Sequence, residues 1–232
     1  MDVKSAYLNA PLKETIYMKE LRGVLKPGEE GKVLRLLKGL YGLKQAGRGW
    51  YMEMMRVFIK ELGFERSAID HPVYYHCKGE EHMIVAVATD NMALTSKCAE
   101  DAQHFKSEIK RFWDITDHGP IKWFLGFEIK RDQDTRMLAI NQRAYIKGMV
   151  ERFGMAQARP VSMPMELGVQ FSVDQLPSSA NQVARMRGVL YIQAIGSVLW
   201  PVVVSWPDAA YAVGIMSQFM QNLGPAHWEG LK

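Results

Sequence analysis

Two neighbouring stretches of the chain carry hydrophobic patterns of different kinds, and together they restrict it to folds that mix sheet and helix. Residues 73–77 (VYYHC) and 83–88 (MIVAVA) are short apolar runs joined by a polar KGEEH connection, which is a hairpin signal. Soon after, Cys98, Ala102, Phe105, Ile109 and Phe112 recur at spacings of four, three, four and three. That spacing lines one buried face of a helix over 97–113.

The same reading extends along the chain. Residues 2–8 (DVKSAYL) suggest a strand end that Pro11 breaks, and 14–21 (ETIYMKEL) a second strand. The KPGEEG run at 26–31 is a turn by composition, and 33–37 is apolar without a deciding period. Tyr51, Met54 or Met55, Phe58 and Leu62 predict a helix over 44–62, with Gly63 as its stop. Residues 123–130 and 137–141 predict another hairpin, and 142–153 a helix ended by Gly154. The proline- and serine-bearing stretch 157–182 reads as a loop or linker. Residues 187–199 and 207–221 read as helices, the second opened by Pro207. Strand signals dominate up to residue 142 and helix signals follow, so the expected class is α+β with a helical C-terminal part.

Composition excludes several classes. The hydrophobic fraction is 48% and the charged fraction 23%, which fits a globular chain and not a disordered or collagenous one. No apolar run reaches the roughly 18 residues of a membrane span, and the N-terminus lacks the apolar core of a signal peptide. Two cysteines, Cys77 and Cys98, form neither a disulfide framework nor a CxxC pattern. The expectation is therefore an intracellular setting. No HExxH, GxSxG, P-loop or GxGxxG motif is present.

The net charge of +4 is unevenly placed. Residues 1–60 hold twelve Lys/Arg against six Asp/Glu, and Lys32, Arg35, Lys38, Lys44 and Arg48 follow one another with no acid between them. Such a stripe suits a phosphate backbone, while a solvated face is the plainer reading of the same residues.

The chemistry-bearing candidates are Asp2 and Asp90. Each stands at the edge of an expected strand, Asp90 directly after MIVAVAT. If the strands are neighbours, the two carboxylates converge on one divalent ion, since Mg²⁺ takes a few carboxylates plus substrate phosphate oxygens. Two such ions about 4 Å apart clamp the oxygens of a phosphoryl transfer. Ordinary turn residues remain the alternative.

Eight blocks in order alter the balance: MDVKSAYLNAPL (1–12), LKGLYGLKQAGRGWY (37–51), ELGFERSAIDHPVYY (61–75), VAVATDNMALTSK (85–97), IKWFLGFEI (121–129), ERFGMAQARPVSMPM (151–165), AIGSVLW (194–200) and PDAAYAVGIMSQFMQNLGPAHWEGLK (207–232). With them the sequence resembles the reverse transcriptase domain of copia-type long-terminal-repeat retrotransposon Pol polyproteins. The resemblance implies a right-hand polymerase palm over 1–142, an antiparallel sheet with helices on one face. A mainly helical thumb and the start of the connection would follow over 143–232. It implies RNA-directed DNA synthesis, in which a primer 3′-OH attacks the α-phosphate of a dNTP with Mg²⁺ (or Mn²⁺) held by Asp2 and Asp90. Tyr7 matches the aromatic gate that excludes a ribose 2′-OH by clash. Gln45 and Lys44 match nucleotide contacts, and Lys38 and Arg48 phosphate contacts of the nucleic acid. Lys44 and Arg48 also read as a plain exposed helical turn. Trp123 and Gly126 match the hairpin that grips the primer, with core packing of Trp123 and Phe124 as the alternative. The implied partners are an RNA template, a DNA primer and dNTP, with no membrane, in a cytoplasmic particle or the nucleus.

The sequence departs from the family pattern in three ways. Asn91 stands where the family has the second of two adjacent aspartates, which removes a negative charge from a site for two dications. Weakened metal binding and impaired or absent polymerisation are expected, at a cost of several kcal/mol. The chain opens inside the palm, so a copy lacking the fingers and ribonuclease H is expected. Ser205-Trp206-Pro207 replaces a typical Thr-Arg-Pro. A non-catalytic nucleic-acid-binding remnant, or a fragment that self-associates through exposed apolar surface, are the alternative readings.

Overall fold

The computed structural model describes residues 1–19, 31–79, 81–166 and 168–232. The chain divides into two compact units, Met1–Leu125 and Gly126–Lys232.

Unit 1 contains β1 (Asp2–Val3), β2 (Pro11–Met18), β3 (Leu34–Lys38), α1 (Ala46–Arg56), β4 (Glu65–Arg66), β5 (Val73–Lys78), β6 (Glu81–Ala88), β7 (Asn91–Ser96), α2 (Ala99–Ile109), β8 (Ile115–Thr116) and β9 (Trp123–Phe124). A six-stranded sheet runs in the order β4-β5-β6-β7-β1-β8, and its pairings are antiparallel. Alternation along β6 buries Met83, Val85 and Val87 and leaves Ile84 48% exposed, so one face is packed and the other open. Trp50, Met54, Val57 and Phe58 from the first helical segment and Phe105 and Ile109 from α2 join Val85, Val87 and Tyr74 in one core. The helices therefore cover a single face of the sheet. Phe58 is the hub: its ring meets Phe64, Tyr74 and Phe105 at centroid distances of 5.4, 4.6 and 5.9 Å. Truncating such a ring costs about 3–5 kcal/mol.

The expected strand over 2–8 is corrected. Only Asp2 and Val3 pair; Ser5 then takes φ 51 and Ala6–Asn9 form a 3₁₀ turn. Asn9 Nδ2 donates to the carbonyls of Lys4 and Ser5, which satisfies the reversed backbone locally. Pro11 does not break a strand but opens β2, a position where its missing N–H is tolerated. The Glu20–Leu21 end of the second expected strand, and the turn at 26–31 up to Glu30, lie outside the described residues. The helix over 44–62 is α1 continued by a wider turn, Val57–Glu61, closed by Leu62 N–H on Val57 O at 3.0 Å. Gly63 follows at φ 69.

Unit 2 contains β10 (Phe127–Asp132), β11 (Met137–Asn141), α3 (Arg143–Arg152), α4 (Ala180–Met186), α5 (Tyr191–Val204), α6 (Ala210–Ser217) and α7 (Pro225–Leu231). The run expected as one strand over 123–130 is interrupted, because Leu125 and Gly126 both take left-handed φ, 50 and 85. Tyr191, Ile195, Val202, Val213, Met216 and Phe219 form its own core. Among the described residues the stretch 157–182 is a loop apart from a 3₁₀ turn at Val173–Gln175 and the start of α4; it does not link the two units but lies within unit 2, with Met165, Phe171 and Leu176 packed on its core. No single helix among the described residues is long and apolar enough to cross a membrane.

Candidate active site

The first site element is a junction of backbone ladders. The Met1 ammonium donates to Met92 O at 3.0 Å and Met92 N–H donates to Met1 O at 2.9 Å. Val3 N–H donates to Asp90 O at 2.8 Å. Asp2 lies between these bonds, with Asn91 as its Cα partner. This is the non-hydrogen-bonded kind of antiparallel pair, in which facing side chains come within about 4.5–5.5 Å at Cβ on one face. Asp90 is the second residue of the two-residue connection from Ala88 to Asn91. Its Oδ1 accepts a hydrogen bond from Asn91 Nδ2 at 3.2 Å. Asn91 thus faces Asp2 and is bonded to Asp90. Asp2 and Asp90 are part-exposed and Asn91 is exposed.

The turn that presents Asp90 is strained and braced. Thr89 takes φ 55, a left-handed value that a β-branched residue rarely adopts. The Trp50 indole N–H donates to Thr89 O at 2.6 Å. Trp50 is buried and meets Trp113 edge-on at 4.8 Å, so the brace is anchored in the core.

The second element is a ring pair beside this turn. Tyr7, on the 3₁₀ turn, lies 4.5 Å from the Tyr41 ring, centroid to centroid. The Tyr41 hydroxyl is pushed above its ordinary range, first by desolvation, then by the negative charge of Asp90, with Tyr7 and Asp2 adding to it. The Ala6 backbone acts weakly in the opposite direction. One hydroxyl therefore senses both carboxylates, which places Asp2, Asp90, Tyr7 and Tyr41 in one neighbourhood. Gly39 closes the arrangement from below: a Cβ there would stand 2.6 Å from Tyr7 O.

Gln45 precedes α1 and is half-buried; Lys44 before it and Arg48 in the first turn are exposed. Lys38 ends β3 and is exposed. A Cβ added to Gly47 in that turn would lie 3.9 Å from the Tyr7 hydroxyl, so the start of α1 borders Tyr7. Lys38, Lys44 and Arg48 make no ion pair among the described residues. Trp123 is 58% exposed, which removes core packing as its explanation, while Phe124 is half-buried. Gly126 opens unit 2 with its left-handed φ of 85. Sequence reasoning gave no role to Trp50, Gly39 or Tyr41, and it read Thr89 only as a polar residue at the strand tip, where the structure has it. Tyr41 and Gly39 lie inside the LKGLYGLK block, but their roles are contacts with Tyr7, which no spacing rule reveals.

The donor chemistry of this junction is two carboxylates with an amide oxygen beside them. That set suits a hard cation which completes its shell with water and substrate phosphate oxygens. Among the described residues no group of three or more His, Cys, Asp or Glu could hold an ion unaided.

Comparison with known proteins follows the same line. The family model for reverse transcriptase (RNA-dependent DNA polymerase) matches residues 1–167. Over its whole length the chain is 35% identical to the retrovirus-related Pol polyprotein from transposon TNT 1-94 of Nicotiana tabacum, of which it spans 18%. It is 29% identical to that from transposon RE2 of Arabidopsis thaliana, spanning 15% of it. It is 24% identical to the putative transposon Ty5-1 protein YCL074W of Saccharomyces cerevisiae, spanning 73% of it. No solved structure matches. The chain belongs to the reverse transcriptase family, in the form carried by copia-type Pol polyproteins.

Proposed function

We propose that the chain is the palm and thumb portion of an RNA-directed DNA polymerase whose metal site is weakened by Asn91. In this reading residues 1–142 are the palm and 143–232 the thumb and start of the connection. Asp2 and Asp90 hold the divalent cation, Mg²⁺ or Mn²⁺. The observation that carries the reading is the β1–β7 junction, where Val3 N–H bonds Asp90 O and Asp2 faces Asn91.

The residues divide the work. Asp2 supplies carboxylate oxygens from β1 and Asp90 from the braced turn, so little reorganisation is needed when substrate arrives. When bound, the cation would neutralise the phosphate charge of the incoming dNTP and lower the pKa of the attacking primer 3′-OH. Tyr7 offers a ring that clashes with a ribose 2′-OH and leaves room for a deoxyribose. Gln45 and Lys44 meet the nucleotide; Lys38 and Arg48 meet phosphates of the nucleic acid. Trp123 and Gly126 bear on the primer. Asn91 impairs the site twice: it brings no charge, and its amide N–H occupies an oxygen of Asp90.

The test is primer extension on an RNA template with Mg²⁺ or Mn²⁺. Slow, metal-dependent extension that disappears in Asp2→Asn and Asp90→Asn is expected. Robust, processive synthesis by the parent chain contradicts the impairment, and extension that survives both substitutions contradicts the site.

A second reading, binding of nucleic acid without catalysis, is favoured by Asn91 together with the exposed Lys38, Lys44 and Arg48. It predicts salt-sensitive binding to an RNA–DNA duplex with no extension under any metal.

A further inference from the structure

Tyr7 sits on a turn that is poorly suited to holding a ring still. The 3₁₀ turn Ala6–Asn9 has four residues, its N-cap Ser5 is left-handed, and the Ser5 side chain makes no capping bond. Short 3₁₀ turns have weaker hydrogen-bond geometry than α-helices. A ring that must reject one hydroxyl has to be held to a fraction of an ångström, because small displacements of a positioning group are costly.

Neighbours supply what the turn lacks. Gly39 lets the backbone approach so closely that a Cβ would meet Tyr7 O at 2.6 Å, and Gly39 N–H donates to Ala10 O at 2.8 Å. The start of α1 borders the Tyr7 hydroxyl at Gly47. Neither touches the face of the ring. Tyr41 does: its centroid is 4.5 Å away with the planes inclined at 48°. It is 53% exposed, so core burial does not explain a tyrosine here.

Resting on the reading of Tyr7 as the sugar gate, we infer that Tyr41 is a positioning residue for nucleotide-sugar selection, fixing the Tyr7 ring from one face. Tyr41 acts through Tyr7. Its ring matters more than its hydroxyl, because the ring makes the contact.

The experiment uses the chain with an RNA template and a DNA primer ending in a dideoxynucleotide, so that no bond can form. Affinity for the next complementary dNTP and for the matching rNTP is measured with Mg²⁺ for the parent, Tyr41→Phe, Tyr41→Ala, Tyr7→Ala and the double Ala variant. The parent is expected to prefer the deoxynucleotide by about tenfold or more, within the range one added group can discriminate. Tyr41→Phe keeps that ratio within about twofold, and Tyr41→Ala lowers it about fivefold by tightening the ribonucleotide. The double variant falls no lower than Tyr7→Ala, the mark of two residues acting as one. Tighter ribonucleotide binding cannot come from a misfolded chain. A parent-like ratio in Tyr41→Ala, an equal loss of both nucleotides, or additive effects in the double variant overturns the role of Tyr41. No preference in the parent, or a parent-like ratio in Tyr7→Ala, removes the gate reading beneath it and the inference with it.

Discussion

Asp2 and Asn91 are Cα partners in the β1–β7 ladder, and the amide of Asn91 also donates to Asp90 at 3.2 Å. One side chain therefore stands against two carboxylates, and its chemistry sets the charge of the whole junction. An amide there relieves repulsion; an aspartate would add a third negative charge.

Asn91→Asp should accordingly trade stability for metal binding. Without divalent cation the variant melts below the parent, because like charges crowd one face. With Mg²⁺ or Mn²⁺ its gain in Tm exceeds the parent's, and Mn²⁺ affinity rises about tenfold, equivalent to ~1.4 kcal/mol. Thermal melts across a metal titration check both halves. A variant that melts like the parent at every metal concentration contradicts the arrangement.

The turn carrying Asp90 gives a paired stability prediction. Trp50→Phe removes the donor to Thr89 O and lowers unfolding stability by about 1–2 kcal/mol. Thr89→Gly relieves the φ of 55 and raises stability by up to about 1 kcal/mol. Urea denaturation reads both signs: a Trp50→Phe variant as stable as the parent would show that the turn is not braced, and a destabilised Thr89→Gly variant that it is not strained.

The basic residues are tested by salt. Lys38→Gln, Lys44→Gln and Arg48→Gln should each reduce the slope of log affinity for an RNA–DNA duplex against log salt by about 0.7–0.9. Fluorescence anisotropy at several salt concentrations measures this. An unchanged slope for all three means that these charges face solvent only.

Unit 2 contains a pH-sensitive residue. His227 is fully buried, its Nδ1 accepts Gly224 N–H at 2.8 Å, and Phe219 stacks on it at 3.9 Å. Burial holds its pKa below the ordinary 6.5. Below that pH the unfolded chain takes up a proton that the folded chain resists, so stability falls as pH drops. One proton bounds the slope at about 1.4 kcal/mol per pH unit. Hydrogen exchange of α7 from pH 7 to pH 5 should show the loss. His227→Asn, which keeps an acceptor and cannot charge, should flatten it.

How much of this was legible in the sequence depended on the range of the forces involved. The four-three spacing marked α2 because Phe105 and Ile109 are buried on one face. It overshot at both ends, where Cys98 is the N-cap and Phe112 lies past the last turn. β7 was not expected, since Asn-Met-Ala-Leu-Thr-Ser has no distinct pattern; it is made a strand by pairing with β6 on one side and β1 on the other. The turn after Val3 escaped because a left-handed serine and the Asn9 side chain, both local polar effects, override a strand-like composition. For the site, periodicity put Asp2 and Asp90 at strand edges. Their adjacency is a long-range pairing, and the resemblance to a known family supplied that expectation. Tyr41 stayed hidden because what distinguishes it is the ring it touches.

The central claim is that Asp2 and Asp90 serve one cation. Mn²⁺ binding, followed by electron paramagnetic resonance in the parent, Asp2→Asn, Asp90→Asn and the double variant, tests it most directly. Each single substitution should weaken binding about tenfold or more, and the double variant should lose little beyond the worse single, as expected for ligands of a shared ion. Parent-like binding in either single variant, or losses that simply multiply in the double, would contradict it.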